Sequence, residues 1–261
     1  MGRLDDLLER RRYACRLTAD RALETLDEAE GLLLDRGMLT RATDCALPSL
    51  FEACHEEPYA VDKPGFGQWP ATKFGWYGEL GSRGHPILAV HRGKNLMVTA
   101  EVAALLDPVC RAEIDRMRAL DPDWRRLLDH LAEAGPSELG DLQMELALKP
   151  KELKRLRSPL ERCGAVVSRP LVYDEPHVHT SELARWDQVH PTAEHGVDPA
   201  VALESLVVAG VHAAVVAPER ELGRWFSWQW HWRDDLVDRL LADGRLERPE
   251  PGWVTCADAS A

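Results

Sequence analysis

The stretch 125–185 alternates helical and strand periods without interruption, and few small folds satisfy that order. Arg125-Arg126-Leu127-Leu128-Asp129-His130-Leu131-Ala132-Glu133-Ala134 repeats apolar residues at helical spacing and stops at Gly135-Pro136. Ser137 then reads as the cap of a second helix carrying Leu139, Leu142, Leu146 and Leu148. After a break at Lys149-Pro150, a basic third helix begins with Lys151-Glu152-Leu153-Lys154-Arg155-Leu156-Arg157. Beyond Gly164 the period becomes that of a strand pair: Ala165 to Tyr173, a polar turn at Asp174-Glu175-Pro176, then His177-Val178-His179-Thr180. Two helices, a basic third helix and a hairpin spell a winged helix, a unit that docks on DNA. The pattern implies binding and names no reaction.

The same order can be traced twice more without residue-level repetition. Near the C-terminus, 199–216 reads as an apolar helix, Pro218-Glu219-Arg220-Glu221-Leu222 opens a second, and 232–242 makes a third. Arg245-Leu246-Glu247-Arg248 and Trp253-Val254-Thr255 then form a small wing around Pro249-Glu250-Pro251-Gly252. Toward the N-terminus, 20–36 reads as an amphipathic helix with Leu23, Leu26, Ala29, Leu33 and Leu34 on one face, closed by Gly37. Shorter helices follow at 47–55 and 72–80, and then a hairpin, 86–90 and 95–99, turning at His91-Arg92-Gly93-Lys94. The expected fold is mainly α with small β-hairpin wings, three tandem winged-helix units at 1–107, 108–190 and 191–261. Linkers are expected near Leu106–Pro108 and Pro191–Asp198.

Charge narrows the function classes. A net charge of −12 argues against a protein that coats nucleic acid indiscriminately. Between Lys149 and Arg169, however, seven basic residues face two acidic ones. The six cysteines are scattered without a Cys-x-x-Cys, as expected of reduced thiols in a cytoplasmic protein. No signal peptide or membrane-length apolar run is evident. The excess of arginine over lysine, 26 to 6, fits a GC-rich bacterial genome. Gly-rich phosphate loops, Gly-x-Ser-x-Gly and His-Glu-x-x-His are absent, so no nucleotide cofactor is expected.

Short motifs carry a resemblance to a known family: Phe74-Gly75-Trp76-Tyr77-Gly78-Glu79-Leu80, His91-Arg92-Gly93-Lys94, Leu148-Lys149-Pro150-Lys151-Glu152-Leu153-Lys154-Arg155, and His179-Thr180-Ser181-Glu182-Leu183-Ala184-Arg185-Trp186. With them the chain resembles the AlkZ/YcaQ group of DNA glycosylases, and more closely the AlkZ-related proteins. The resemblance implies a double-stranded DNA partner and a concave binding face. In those glycosylases a Gln-x-Gln or Gln-x-Asp pair in the first domain positions the attacking water. Here the glutamines are Gln68, Gln143, Gln188 and Gln229, and none stands in either pattern. Base excision of the usual kind is therefore not expected.

The DNA-contact candidates are Lys149, Lys151, Lys154, Arg155, Arg162 and Arg169 around the third helix, with Leu153, Leu156 and Leu160 inward. His91, Arg92 and Lys94 make a cationic hairpin tip suited to a minor groove. His177 and His179 fall on one side of a strand about 7 Å apart. They lack a familiar ligand spacing, so a wing contact is preferred and no metal site is expected. If a substitute catalytic residue exists, Glu52, Glu79 and Gln68 are the first-domain candidates. Pro159 is expected to kink the third helix, and Trp225, Trp228 and Trp232 to form a buried helical stripe. Three readings follow: a duplex DNA binder without the usual excision activity, a glycosylase for alkylated or bulky bases with another catalytic group, or a protein-interaction module.

Overall fold

The computed structural model describes residues 2–172, 179–190 and 197–257, without the side chains of Pro170, Val172, His179 and Thr180. Helix α1 (Arg3–Ala14) leads into a first group: α2 (Leu26–Arg36), β1 (Met38–Thr40), α3 (Leu50–Ala53), α4 (Trp76–Ser82), β2 (Ile87–His91) and β3 (Lys94–Val98). The long α5 (Ala100–Leu120) connects it to a second group. That group is α6 (Pro122–Ala134), β4 (Ser137–Glu138), α7 (Leu139–Glu145), α8 (Pro150–Arg162), β5 (Val166–Val172), β6 (His179–Arg185) and α9 (Trp186–Val189). The third comprises α10 (Pro199–Ala214), β7 (Val216–Pro218), a 3-10 segment Glu219–Arg224, α11 (Leu236–Ala242), β8 (Leu246–Glu247) and β9 (Trp253–Cys256). Each group builds an antiparallel three-stranded sheet in the same order, β1-β3-β2, β4-β6-β5 and β7-β9-β8. The architecture is mainly α with small β wings.

Local chemistry explains most boundaries. Thr25 caps α2 reciprocally with Glu28, the hydroxyl accepting from the Glu28 N–H at 3.2 Å and the carboxylate from the Thr25 N–H at 3.3 Å. Gly37 ends the helix in the left-handed conformation. The helix expected over 20–36 is thus shorter, and Leu34 lies on its exposed side while Leu32 joins the core. Asp121 caps α6 ahead of Pro122 at the first helical position.

Tertiary burial overrides several other expectations. Ser137 does not cap a helix; it begins β4 opposite Leu183, and its hydroxyl donates to the Gly135 carbonyl at 2.9 Å. Leu106–Pro108 is no linker but the middle of α5, whose Val102, Leu106, Val109, Ile114 and Met117 are buried. That burial outweighs the proline penalty of about 3 kcal/mol. Pro159 likewise sits inside an unbroken α8. Of the other expected linker, residues 191–196 lie outside the described residues, and Asp198 caps α10.

One contiguous core runs from Met38 to Val254 through all three groups. A second cluster lies beneath α2, α3 and α4. Helix α1, expected with the first unit, instead packs Leu4 and Leu7 on Val215 and Val216 of the third group. Trp225 and Trp228 are buried as expected, but 3-10 turns and irregular backbone carry them, not a helix; Trp232 is half-buried. All six cysteines are free thiols. Among the described residues no helix is long and apolar enough to cross a membrane.

Candidate nucleic-acid interface

Helix α8 starts at Pro150, and the Glu152 carboxylate accepts from the Lys149 N–H at 2.8 Å. Leu153, Leu156 and Leu160 face the core. Lys149, Lys151, Lys154 and Arg155 are exposed on the other side. Among the described residues the three lysines form no ion pair. Arg155 approaches only Asp123, at 3.8 Å with both side chains more than half exposed, a contact worth at most about 1 kcal/mol. Arg157 turns away from this face to Glu161 at 2.9 Å and the Ser168 hydroxyl at 3.0 Å, tying α8 to β5.

The other candidates separate. Arg169 pairs across the β5–β6 ladder with Glu182, directly opposite it, so its charge is neutralised. His177 and the side chain of His179 lie outside the described residues. The hairpin turns through Arg92 and Gly93, at φ +53° and +77°, the geometry of a two-residue primed turn. A Cβ at Gly93 would sit 3.2 Å from the Arg162 Nε, so the turn lies directly against that side chain. Arg162, on the last turn of α8, is exposed and unpaired among the described residues. The hairpin tip and the basic helix therefore meet.

His91 does not join that tip surface. It is 1% exposed, with Nδ1 against the Trp225 carbonyl at 2.6 Å and Nε2 against Asp44 at 2.8 Å. Asp44 also accepts from Lys94 at 2.6 Å and pairs with Arg92 at 2.6 Å. Partial burial opposes its charge, but the Lys94 and His91 hydrogen bonds and the Arg92 charge hold its pKa down to about 2. Asp44, Cys45 and His91 bring three potential ligand atoms within 4.8 Å of one another. Burial pushes the Cys45 thiol up to about 12, and Asp44 Oδ2 is already engaged by both Arg92 and Lys94 while Oδ1 faces the His91 Nε2. The donor set fits an ion-pair knot better than a metal centre.

A stability prediction follows from the knot. Asp44 has a folded pKa below its unfolded one, so its contribution is full above about pH 4 and is lost as pH falls toward about 2. Asp44→Asn is expected to cost about 2 kcal/mol at neutral pH, measured by urea unfolding. A gap to the parent chain that does not narrow in acid would disprove the assignment.

The three catalytic candidates are not linked by any hydrogen bond among the described residues. Gln68 is a loop staple: its amide donates to the carbonyls of Val61 at 2.8 Å and Lys63 at 2.9 Å. Glu52 is half-buried on α3, and Glu79 is exposed on α4. Sequence reasoning missed Asp44 altogether, because it reaches the hairpin from a loop 47 residues earlier than His91. Nothing in its local sequence signals that role.

No protein-family model matches the chain, and no curated protein matches its sequence. Among solved structures, the Streptomyces sahachiroi DNA glycosylase AlkZ superposes with a TM-score of 0.57, covering 98% of this chain and 70% of that one. The chain has an AlkZ-like fold. At 13% identity the likeness is one of fold alone.

Proposed function

We propose that this chain binds duplex DNA through three winged-helix units, near 1–107, 108–190 and 191–261, with α5 shared between the first two. The observation that carries the reading is the outer face of α8, where Lys149, Lys151, Lys154 and Arg155 stand exposed opposite a leucine stripe. Among the described residues the three lysines have no acidic partner and Arg155 has only the loose Asp123 contact, so these cations are free to displace counterions from phosphates, whereas the chain as a whole is acidic. The docking is local. Arg162 extends it toward the first hairpin, where Arg92 and Lys94 share the single Asp44 carboxylate and keep a net positive charge, and Arg169 contributes little because Glu182 holds it.

Excision of simple alkylpurines is not part of this function. The sequence has no Gln-x-Gln or Gln-x-Asp, and Gln68 spends its amide on loop carbonyls. A positioned acceptor and water lower such a barrier by several kcal/mol. A glycosylase with another catalytic group is the second reading, favoured by a fold likeness that spans 98% of the chain. Gel shifts on intact, alkylated and abasic duplexes, with product strands assayed for base loss, decide between them. The expected result is duplex binding without release of 7-methylguanine under single-turnover conditions. Release abolished by changing Glu52 or Glu79 would establish the glycosylase. Neither binding nor release at low salt would leave a protein-interaction module.

A further inference from the structure

Where α8 ends against the first hairpin, a groove of about 590 Å³ opens between α5, α6 and the tryptophan-rich segment of the third group. Four arginines line it, Arg92, Arg116, Arg162 and Arg224, and no carboxylate does. Arg92 and Arg116 are already paired, with Asp44 and Glu113 behind the lining, so the bias of the groove toward an anion rests on the other two. Arg162 and Arg224 are exposed and form no ion pair among the described residues. The apolar lining between these charges comes from the half-buried Trp124 and the exposed Trp230, with Phe226 almost wholly buried.

Trp230 is the unusual member. It is 49% exposed, yet its ring is locked. The indole N–H donates to the Glu113 Oε1 at 2.7 Å, and the Arg116 guanidinium lies 4.1 Å from the ring centroid. Arg116 is in turn held on the other oxygen of Glu113 by contacts of 2.6 and 2.8 Å, and the His231 Nε2 faces Oε1 at 3.0 Å. Glu113 itself is fully buried. A buried carboxylate thus fixes an exposed aromatic and a cation before any ligand arrives, which reduces the ordering cost of binding. Burying an ionised group only to steady a solvent-exposed ring would stabilise little by itself.

We infer that this groove binds a single unpaired nucleotide, its base against Trp230 and its phosphate among Arg162 and Arg224. The volume lies in the range of small-ligand sites, and aromatic platforms beside cations are how unpaired nucleotides are held without sequence preference. The nucleotide comes either from a single-stranded extension of a bound duplex or from solution. None of Glu52, Gln68 and Glu79 lines the groove, so it stands apart from the excision candidates. The strand-extension source rests on the duplex-binding reading above; the free-nucleotide source does not.

The test uses the full chain and three probes: a blunt duplex, the same duplex with a short single-stranded extension carrying 2-aminopurine, and free 2-aminopurine deoxyribonucleoside monophosphate. The extension is expected to tighten binding about 10-fold and to quench the 2-aminopurine by stacking on Trp230. Arg224→Gln and Trp230→Leu should each remove that gain and the quenching while blunt-duplex affinity holds. Arg224 has no ion-pair partner to lose among the described residues, so its variant reads the groove without disturbing the Glu113 support. Quenching of the free nucleotide that both variants abolish, without blunt-duplex binding, would keep the groove and sink the duplex reading. Blunt-duplex binding with no gain from the extension and no quenching would do the reverse. Displacement of the nucleotide by a hexaglutamate peptide at equal concentration would assign the groove to acidic peptides and overturn the inference, as would silence in every arm.

Discussion

Changing Lys151, Lys154 and Arg155 together to alanine is expected to weaken duplex binding by two to three orders of magnitude near 0.1 M salt, about equally for all sequences. The magnitude follows from counterion release, which contributes a log–log salt slope of about 0.9 for each phosphate contact. Losing three contacts lowers the slope by about 2.7. Folding should be untouched, because all three side chains project to solvent from the face opposite Leu153, Leu156 and Leu160. Anisotropy titrations across a salt series read both quantities. An unchanged slope would show α8 to be a solvated helix with no part in docking.

Trp228→Ala is expected to destabilise the whole chain by about 3–5 kcal/mol. The ring is 1% exposed and stacks on Phe226 with centroids 5.9 Å apart. Its N–H donates to the Cys163 carbonyl at 2.9 Å, at the C-terminal cap of α8. Truncation leaves both a cavity and an unsatisfied carbonyl where the second and third groups share their core. Trp228→Phe keeps most of the volume but also leaves the Cys163 carbonyl unsatisfied, and should cost about 1–3 kcal/mol. A single cooperative urea transition, shifted for Trp228→Ala, is the expected trace. A loss under about 1 kcal/mol, or two separated transitions, would show that the groups are independent.

Much of the local structure was legible because local rules govern it. Gly37 and Gly135 mark helix ends through backbone hydrogen bonds that reach no further than four residues, whereas the caps Thr25 and Asp121 set the helix starts away from the expected 20 and 125. Arg92-Gly93 specified its turn by the positive φ it requires. The leucine spacing of α8 determined which face is buried and, by exclusion, which face carries the lysines. Those features, and the helix–helix–helix–hairpin order of the second group, belong to the sequence by itself.

Only the tertiary structure decided which charges are available and where elements end. Arg169 and His91 look as accessible in the sequence as Lys151, but Glu182 claims one and Asp44 the other. Glu113 is an ordinary acid until Trp230 and His231 arrive from 117 and 118 residues away. Pro108 and Pro159 argue locally for breaks, yet α5 and α8 run through them because continuous helices bury more apolar surface than a kink would save. Ser137 has the chemistry of a cap and becomes a strand because β6 offers its ladder bonds. Caps and periodicity act within a turn or two of chain, whereas ion pairing and burial depend on what folding brings alongside, and no local pattern encodes that.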